Sequence, residues 1–146
     1  PYPHFSYHVA DHYDLEQVKQ ILREFARSTA PFEVTTTGLG IFTEGIHPVV
    51  YVNVARSPQL SLANARLWPL LEEASAGIID YYHADRWVPH ITLGFGDVTH
   101  ENLADVIRVL SAWDFNWQVR VDNVALLFNE ADARRDMLKM HFPLTG

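Results

Sequence analysis

The stretch that decides the fold reads Pro-His-Ile-Thr-Leu-Gly-Phe-Gly, residues 89–96, and the chain opens on a variant of it, Pro-His-Phe-Ser-Tyr-His-Val-Ala, residues 3–10. Each copy puts a histidine two residues before a hydroxyl: His4 with Ser6, and His90 with Thr92. On a strand, side chains at i and i+2 point the same way. In the first copy His4, Ser6 and His8 alternate with Phe5, Tyr7 and Val9. In the second, His90, Thr92 and Gly94 alternate with Ile91 and Leu93. The period of two predicts a strand with one buried face in both places. Pro3 and Pro89 set an extended approach to each.

Outward from the motifs, the two halves share a grammar of motif strand, helix, strand, strand. After the first motif, Asp14 is an N-cap with Gln17 at the capping-box position. Leu15, Val18, Ile21, Leu22 and Phe25 form a helical stripe that Pro31 closes. Residues 33–42 favour a strand, with Gly38 and Gly40 predicting a bend or bulge. Residues 49–54 predict a strong strand. Ser57-Pro58 starts a second helix, which Pro69 should kink or divide. After the second motif, Thr99 caps a helix with the stripe Leu103, Val106, Ile107 and Leu110. Trp117, Val119 and Val121 then alternate with polar residues. A hairpin follows, residues 124–128 and 137–142, joined by a polar loop. The motif histidines are offset by 86 residues, and the following strands align at an offset of 85, Phe32 with Trp117 and Val34 with Val119. This predicts a diverged internal repeat. The expected fold is α+β: two pseudo-symmetric lobes of mainly antiparallel sheet, outer helices, and a central cleft onto which both motifs face.

At 146 residues the chain suits a single domain, 1–146. No apolar run approaches the ~20 residues of a membrane span, and no leader pattern is present, so a cytoplasmic monomer is expected. Cysteine is absent, which excludes disulfides and thiolate metal sites. The formal net charge of −7 argues against gripping a long nucleic-acid duplex. It leaves room for a short phosphorylated ligand, and nine of the eleven basic residues are Arg, the side chain that matches phosphate geometry.

Two imidazoles and two hydroxyls around one point suit phosphodiester cleavage. One imidazole takes a proton from the attacking water. The other protonates the departing oxygen on the far side of phosphorus. The hydroxyls donate to the non-bridging oxygens. Histidine serves both proton transfers because its ordinary pKa of ~6.5 lies near working pH. The chemistry calls for no cofactor and no metal.

The paired motifs His4-Phe5-Ser6-Tyr7 and His90-Ile91-Thr92-Leu93 resemble the signature of the 2H phosphoesterase superfamily, the 2'-5' RNA ligase-like proteins. The resemblance runs from Pro3 to the last strand. It implies a bilobal, pseudo-symmetric α+β fold and action on 2',3'-cyclic phosphate or 2'-5' phosphodiester bonds of RNA ends or small nucleotides. Carried over residue by residue, His4 and His90 would be the proton-transfer pair, and Ser6 and Thr92 the phosphate donors. One such site serves hydrolysis and the reverse ligation alike. The first motif departs from the family in Ser6, where Thr is commoner, and in Tyr7, where an aliphatic residue is usual. Members also usually have a strand and a helix before the first motif. Their absence here means either a trimmed chain or a first lobe that loses sheet pairing.

Further candidates for substrate contact follow from the polar faces of neighbouring strands. Arg120 and Lys139 would neutralise phosphate, and Phe42, Tyr51 or Phe95 would stack on a base. Thr35 and His141 belong to the same faces. His8 shares the face of His4 and Ser6, at the cleft or at its solvent edge. Two alternatives stand beside the phosphoesterase. One is a non-catalytic module that binds an AMP-like nucleotide or an RNA end. The other is a metal site at His4, His8 and His12, which are spaced by four residues as ligands on a helix face would be; the alternation of residues 5–9 speaks against it.

Overall fold

The computed structural model describes residues 3–129 and 137–146, and only the backbone of Asn129 and residues 137–139. The architecture is α+β with antiparallel sheets. A two-stranded sheet joins β1 (Ala10–Tyr13) to β4 (Ser75–Ile78). A four-stranded sheet runs in the order β5-β3-β2-β6, from β5 (His90–Gly94) through β3 (Val49–Val54) and β2 (Phe32–Phe42) to β6 (Gln118–Val121). A hairpin pairs β7 (Asn123–Asn129) with β8 (Met137–Pro143). The helices are α1 (Leu15–Arg27), α2 (Pro58–Glu73) and α3 (Leu103–Leu110). Of the polar loop expected at 129–136, Asn129 belongs to β7 and residues 130–136 lie outside the described residues.

The first motif departs from expectation. Residues 3–9 lie outside every strand, and the ladder begins only at Ala10, opposite Ile78. Alternation predicts which face of a strand is buried, but a strand also needs a neighbour to satisfy its N–H and C=O groups. Here side chains take that part: the Trp87 indole donates to the Ser6 carbonyl and the Asn64 amide to the Tyr7 carbonyl. The second motif does form the predicted strand.

Elsewhere most local signals are read out, although α3 is entered from Asn102 and not from the expected cap Thr99, whose hydroxyl accepts from the Asn102 amide at 3.3 Å. Asp14 caps α1, its carboxylate accepting from the Glu16 and Gln17 amides at 3.1 Å. The Asp14 amide donates to the Ala74 carbonyl, which ties the start of α1 to the end of α2. β2 carries the expected bulge, between Thr36 and Leu39, with Gly38 at φ 80°. α2 is not divided at Pro69. The bond a proline cannot make would reach the carbonyl of Ala65, and both residues lie on the exposed side of the helix. β4 was not foreseen; four residues around Gly77 show too little alternation. Val34 and Val119, aligned by the repeat offset, stand directly opposite each other where β2 pairs with β6. The strands expected to correspond are thus neighbours in one sheet.

Two cores result. α1 and α2 pack on the β7–β8 hairpin through Val18, Leu22, Phe25, Leu67, Leu71, Val124 and Leu126. The second core, Val34, Val54, Leu60 and Trp87, lies behind the four-stranded sheet, with Phe5 and Tyr7 of the first motif and Ile91 of the second packed against it. This apolar backing turns the polar side of the second motif outward.

Candidate functional site

β5 pairs with β3 so that His90 lies opposite Asn53 and Thr92 opposite Tyr51. Directly opposed residues share a face. His90, Thr92, Asn53 and Tyr51 therefore project together, while Val52, Val54 and Ile91 face the core. Asn53 donates to the Thr37 hydroxyl at 2.5 Å, bringing the β2 bulge into the same surface.

Around the His90 ring stands an aromatic cluster. Tyr51 is 5.2 Å away, Phe42 meets it edge-on at 4.9 Å, and Tyr82 lies near-parallel at 6.3 Å. Phe42 stacks on Tyr51 at 4.1 Å and takes Tyr81 edge-on at 5.2 Å. Gly40 makes this possible: a Cβ there would run into the Tyr51 ring. Burial raises the hydroxyl pKa of Tyr51 and of Tyr82. Burial, reinforced by Tyr51, Glu44 and Tyr82, pushes Tyr81 up to about 12. All three remain protonated donors at neutral pH.

His90 is half-buried. Its Nδ1 lies 2.7 Å from the Val88 carbonyl, an acceptor only, so Nδ1 carries the proton and Nε2 keeps its lone pair. Burial holds its pKa below the ordinary value, the Val88 bond opposes that, and the charge of His4 lowers it further. The two motif histidines are thus close enough to feel each other's charge. His4 itself is exposed, and Ser6 is half-buried.

A cavity of about 530 Å³ opens beside the first motif, lined by His4, Ser6 and His8 and by apolar residues such as Leu22, Leu67 and Val121. Arg120 reaches the same cavity, but β6 is the edge strand farthest from β5, with β2 and β3 between them. Phe95 lies past the end of β5 and is two-thirds exposed, outside the aromatic cluster described above. Lys139 pairs by its backbone with Leu127, and its side chain lies outside the described residues. Thr35 is exposed on β2 opposite Gln118, and the His141 ring meets Asn123 at 3.3 Å.

His8 lines the cavity together with His4 and Ser6, and it is also packed into the protein. Its Nδ1 is 2.8 Å from the Tyr13 hydroxyl and its ring packs 4.8 Å from Trp68. Burial lowers its pKa to about 4, so it is a neutral packing residue. His12 sits exposed in β1 opposite Ala76. Among the described residues no three metal-capable side chains come together.

With the geometry in place, comparison with known families decides the kinship. A model of the 2'-5' RNA ligase superfamily matches residues 1–133. The chain belongs to that superfamily. No curated protein matches it. Membership supports phosphoesterase or ligase-type chemistry in general terms. Among the described residues no helix is long and apolar enough to cross a membrane.

Sequence reasoning missed Tyr81 and Tyr82, which lie on a short 3-10 turn, Asp80–Tyr82, ahead of the second motif. Their signal was the aromatic pair itself, in a stretch with no periodicity to interpret. Asn53 was hidden because the register of β3 against β5 cannot be counted along the chain.

Proposed function

We propose that this member of the 2'-5' RNA ligase superfamily is a metal-independent phosphoesterase for 2',3'-cyclic phosphate or 2'-5' phosphodiester bonds in RNA ends or small nucleotides. His90 is the general base and His4 the general acid. Water attacks phosphorus as its proton passes to His90 Nε2; one ester bond to ribose breaks, and the departing oxygen takes the His4 proton. Thr92 and Ser6 donate to the non-bridging oxygens, and Phe42, Tyr51 and Tyr81 receive the base. The carrying observation is the state of His90. Its Nδ1–H is spent on the Val88 carbonyl, and both burial and His4 favour the neutral ring, so a lone pair is available for a proton.

The test is a screen of 2',3'-cyclic nucleotides and 2'-5' dinucleotides with EDTA present. Turnover unaffected by chelation is expected. Tight nucleotide binding with no turnover of any substrate would favour the non-catalytic module instead. Loss of turnover with EDTA and its recovery with zinc or manganese would overturn the two-histidine mechanism.

A further inference from the structure

We propose that Trp87 and Asn64 are positioning residues that set the spacing between His4 and His90, a task done elsewhere in the molecule by β-ladders. The inference rests on the reading of the two histidines as an acid–base pair.

His90 is located by the β5–β3 ladder, but His4 belongs to a segment outside every strand. Its placement therefore depends on how that segment is anchored. The Trp87 indole, 2% exposed, donates from Nε1 to the Ser6 carbonyl at 2.9 Å, two residues past His4. Trp87 itself stands three residues before His90, and the intervening Val88 carbonyl fixes the His90 ring. One linkage from the first motif to the second thus runs through a single side chain and a short stretch of main chain.

Trp87 is in turn immobilised from behind. Arg56 donates to its carbonyl at 3.3 Å and lies over its ring at 5.9 Å. The same guanidinium bonds the Ala84 carbonyl and, from Nε, the Ser61 hydroxyl at 3.1 Å. Tyr7 packs on the indole at 5.3 Å. A ring held on its face, its carbonyl and its N–H transmits position well.

Asn64 supplies the second tie. It is fully buried on α2, and its amide reaches the Tyr7 carbonyl at 3.3 Å and the Tyr82 carbonyl at 3.5 Å. One side chain thereby joins the first motif to the aromatic turn that faces His90. A leucine of similar volume would fill the same space with no polar group to satisfy; the two carbonyls are what the amide serves.

The experiment follows the His90 imidazole by NMR titration. The titratable groups facing His90 in the described structure are Tyr51, Tyr82 and His4. Both tyrosines stay neutral through the histidine range, so His4 supplies the charge that His90 senses. In the wild type, His4→Ala should raise the His90 midpoint. In Trp87→Phe the midpoint should already be raised, and adding His4→Ala should change it little. Asn64→Leu should act in the same direction, and Asn64→Gln, which keeps the donor, should restore part of the coupling. In both weakened variants kcat should fall roughly tenfold to a hundredfold, as misplacement by about 1 Å does, with KM nearly unchanged. Leu71→Ala, in the other core, should lower stability and leave the His90 midpoint in place. If Trp87→Phe does not fold, Asn64→Leu decides. An undiminished response to His4→Ala in the folded variants would overturn the proposal. The titration requires no turnover, so a wild type that cleaves nothing would defeat the phosphoesterase reading and leave this one standing.

Discussion

His90 sits on a strand laddered to β3, whereas His4, with the same Pro before it and a hydroxyl two residues after it, sits on a segment held by side chains. The two tetrads face unlike surroundings as well. The second is ringed by Phe42, Tyr51 and Tyr82. The first borders an apolar cavity. A residue pattern specifies which chemical groups are offered. The neighbouring strand, or its absence, specifies how rigidly they are held. Division of labour follows from this: the half-buried, tautomer-fixed His90 is suited to accept a proton, and the exposed His4 to deliver one.

The largest expected effect breaks the comparison outright. His4→Ala and His90→Ala should each reduce kcat by about 10²–10⁴, the usual worth of a positioned acid or base, in proteins that remain folded. The pH profile then separates the two. The wild type should show a bell, with the acid limb set by protonation of His90 below the ordinary histidine value, as its burial dictates. His90→Ala should abolish that limb and His4→Ala the alkaline one. Near-normal turnover by either variant sinks the pairing, and a surviving acid limb in His90→Ala reverses the roles. Thr92→Ala and Ser6→Ala each remove one donor to a charged oxygen and should cost about tenfold.

A smaller effect probes the aromatic side. Gly40→Ala adds a Cβ where the Tyr51 ring now lies, so the ring must leave its place between Phe42 and His90. Base–aromatic stacking contributes about 1–3 kcal/mol per base. KM for a nucleotide substrate should rise about tenfold, with a lesser change in kcat. Steady-state kinetics on one cyclic nucleotide suffices. An unchanged KM would remove Tyr51 and Phe42 from the base site.

Much of this was legible in the chain. Residues 49–54 alternate little and are nearly all apolar, and they became the central strand β3; Asp14 and Ser57 stand where the helices begin. The two histidines and two hydroxyls were readable because their spacing is local. What depended on cross-chain register was not. The Tyr51–Thr92 and Asn53–His90 pairings arise from a ladder with an irregularity beside Val50, which no count along the sequence reveals. The first motif misled for a related reason. Its alternation is a property of the residues, while a strand is a property of two neighbours, and Trp87 and Asn64 replaced the second neighbour. Arg120, expected from its face alone, lines the cavity with His4 and Ser6 from a strand separated from β5 by β2 and β3.

The smallest effect concerns His8, which occupies in the first tetrad's continuation the position that Gly94 holds in the second. It is a packing group, bonded to Tyr13 and set against Trp68, with its pKa lowered by burial to about 4. The unfolded chain binds its proton near the ordinary value of about 6.5. Above that pH both states are neutral at His8, and its contribution is complete. As pH falls toward 4 the unfolded chain takes up a proton that the folded one refuses, so stability declines across that window. His90, also lowered, adds to the decline in the same direction. His8→Phe keeps a ring against Trp68 and removes the titration. It should be less stable at pH 7.5, because the Tyr13 hydroxyl loses its partner, yet lose less on acidification. With about 2–4 °C of Tm per kcal/mol in a chain of this size, the slopes between pH 7.5 and 5 should differ by a few degrees. Thermal melts at three pH values measure it. Parallel slopes in the two proteins would show that His8 titrates freely and that the first motif is looser than its contacts with Tyr13 and Trp68 imply.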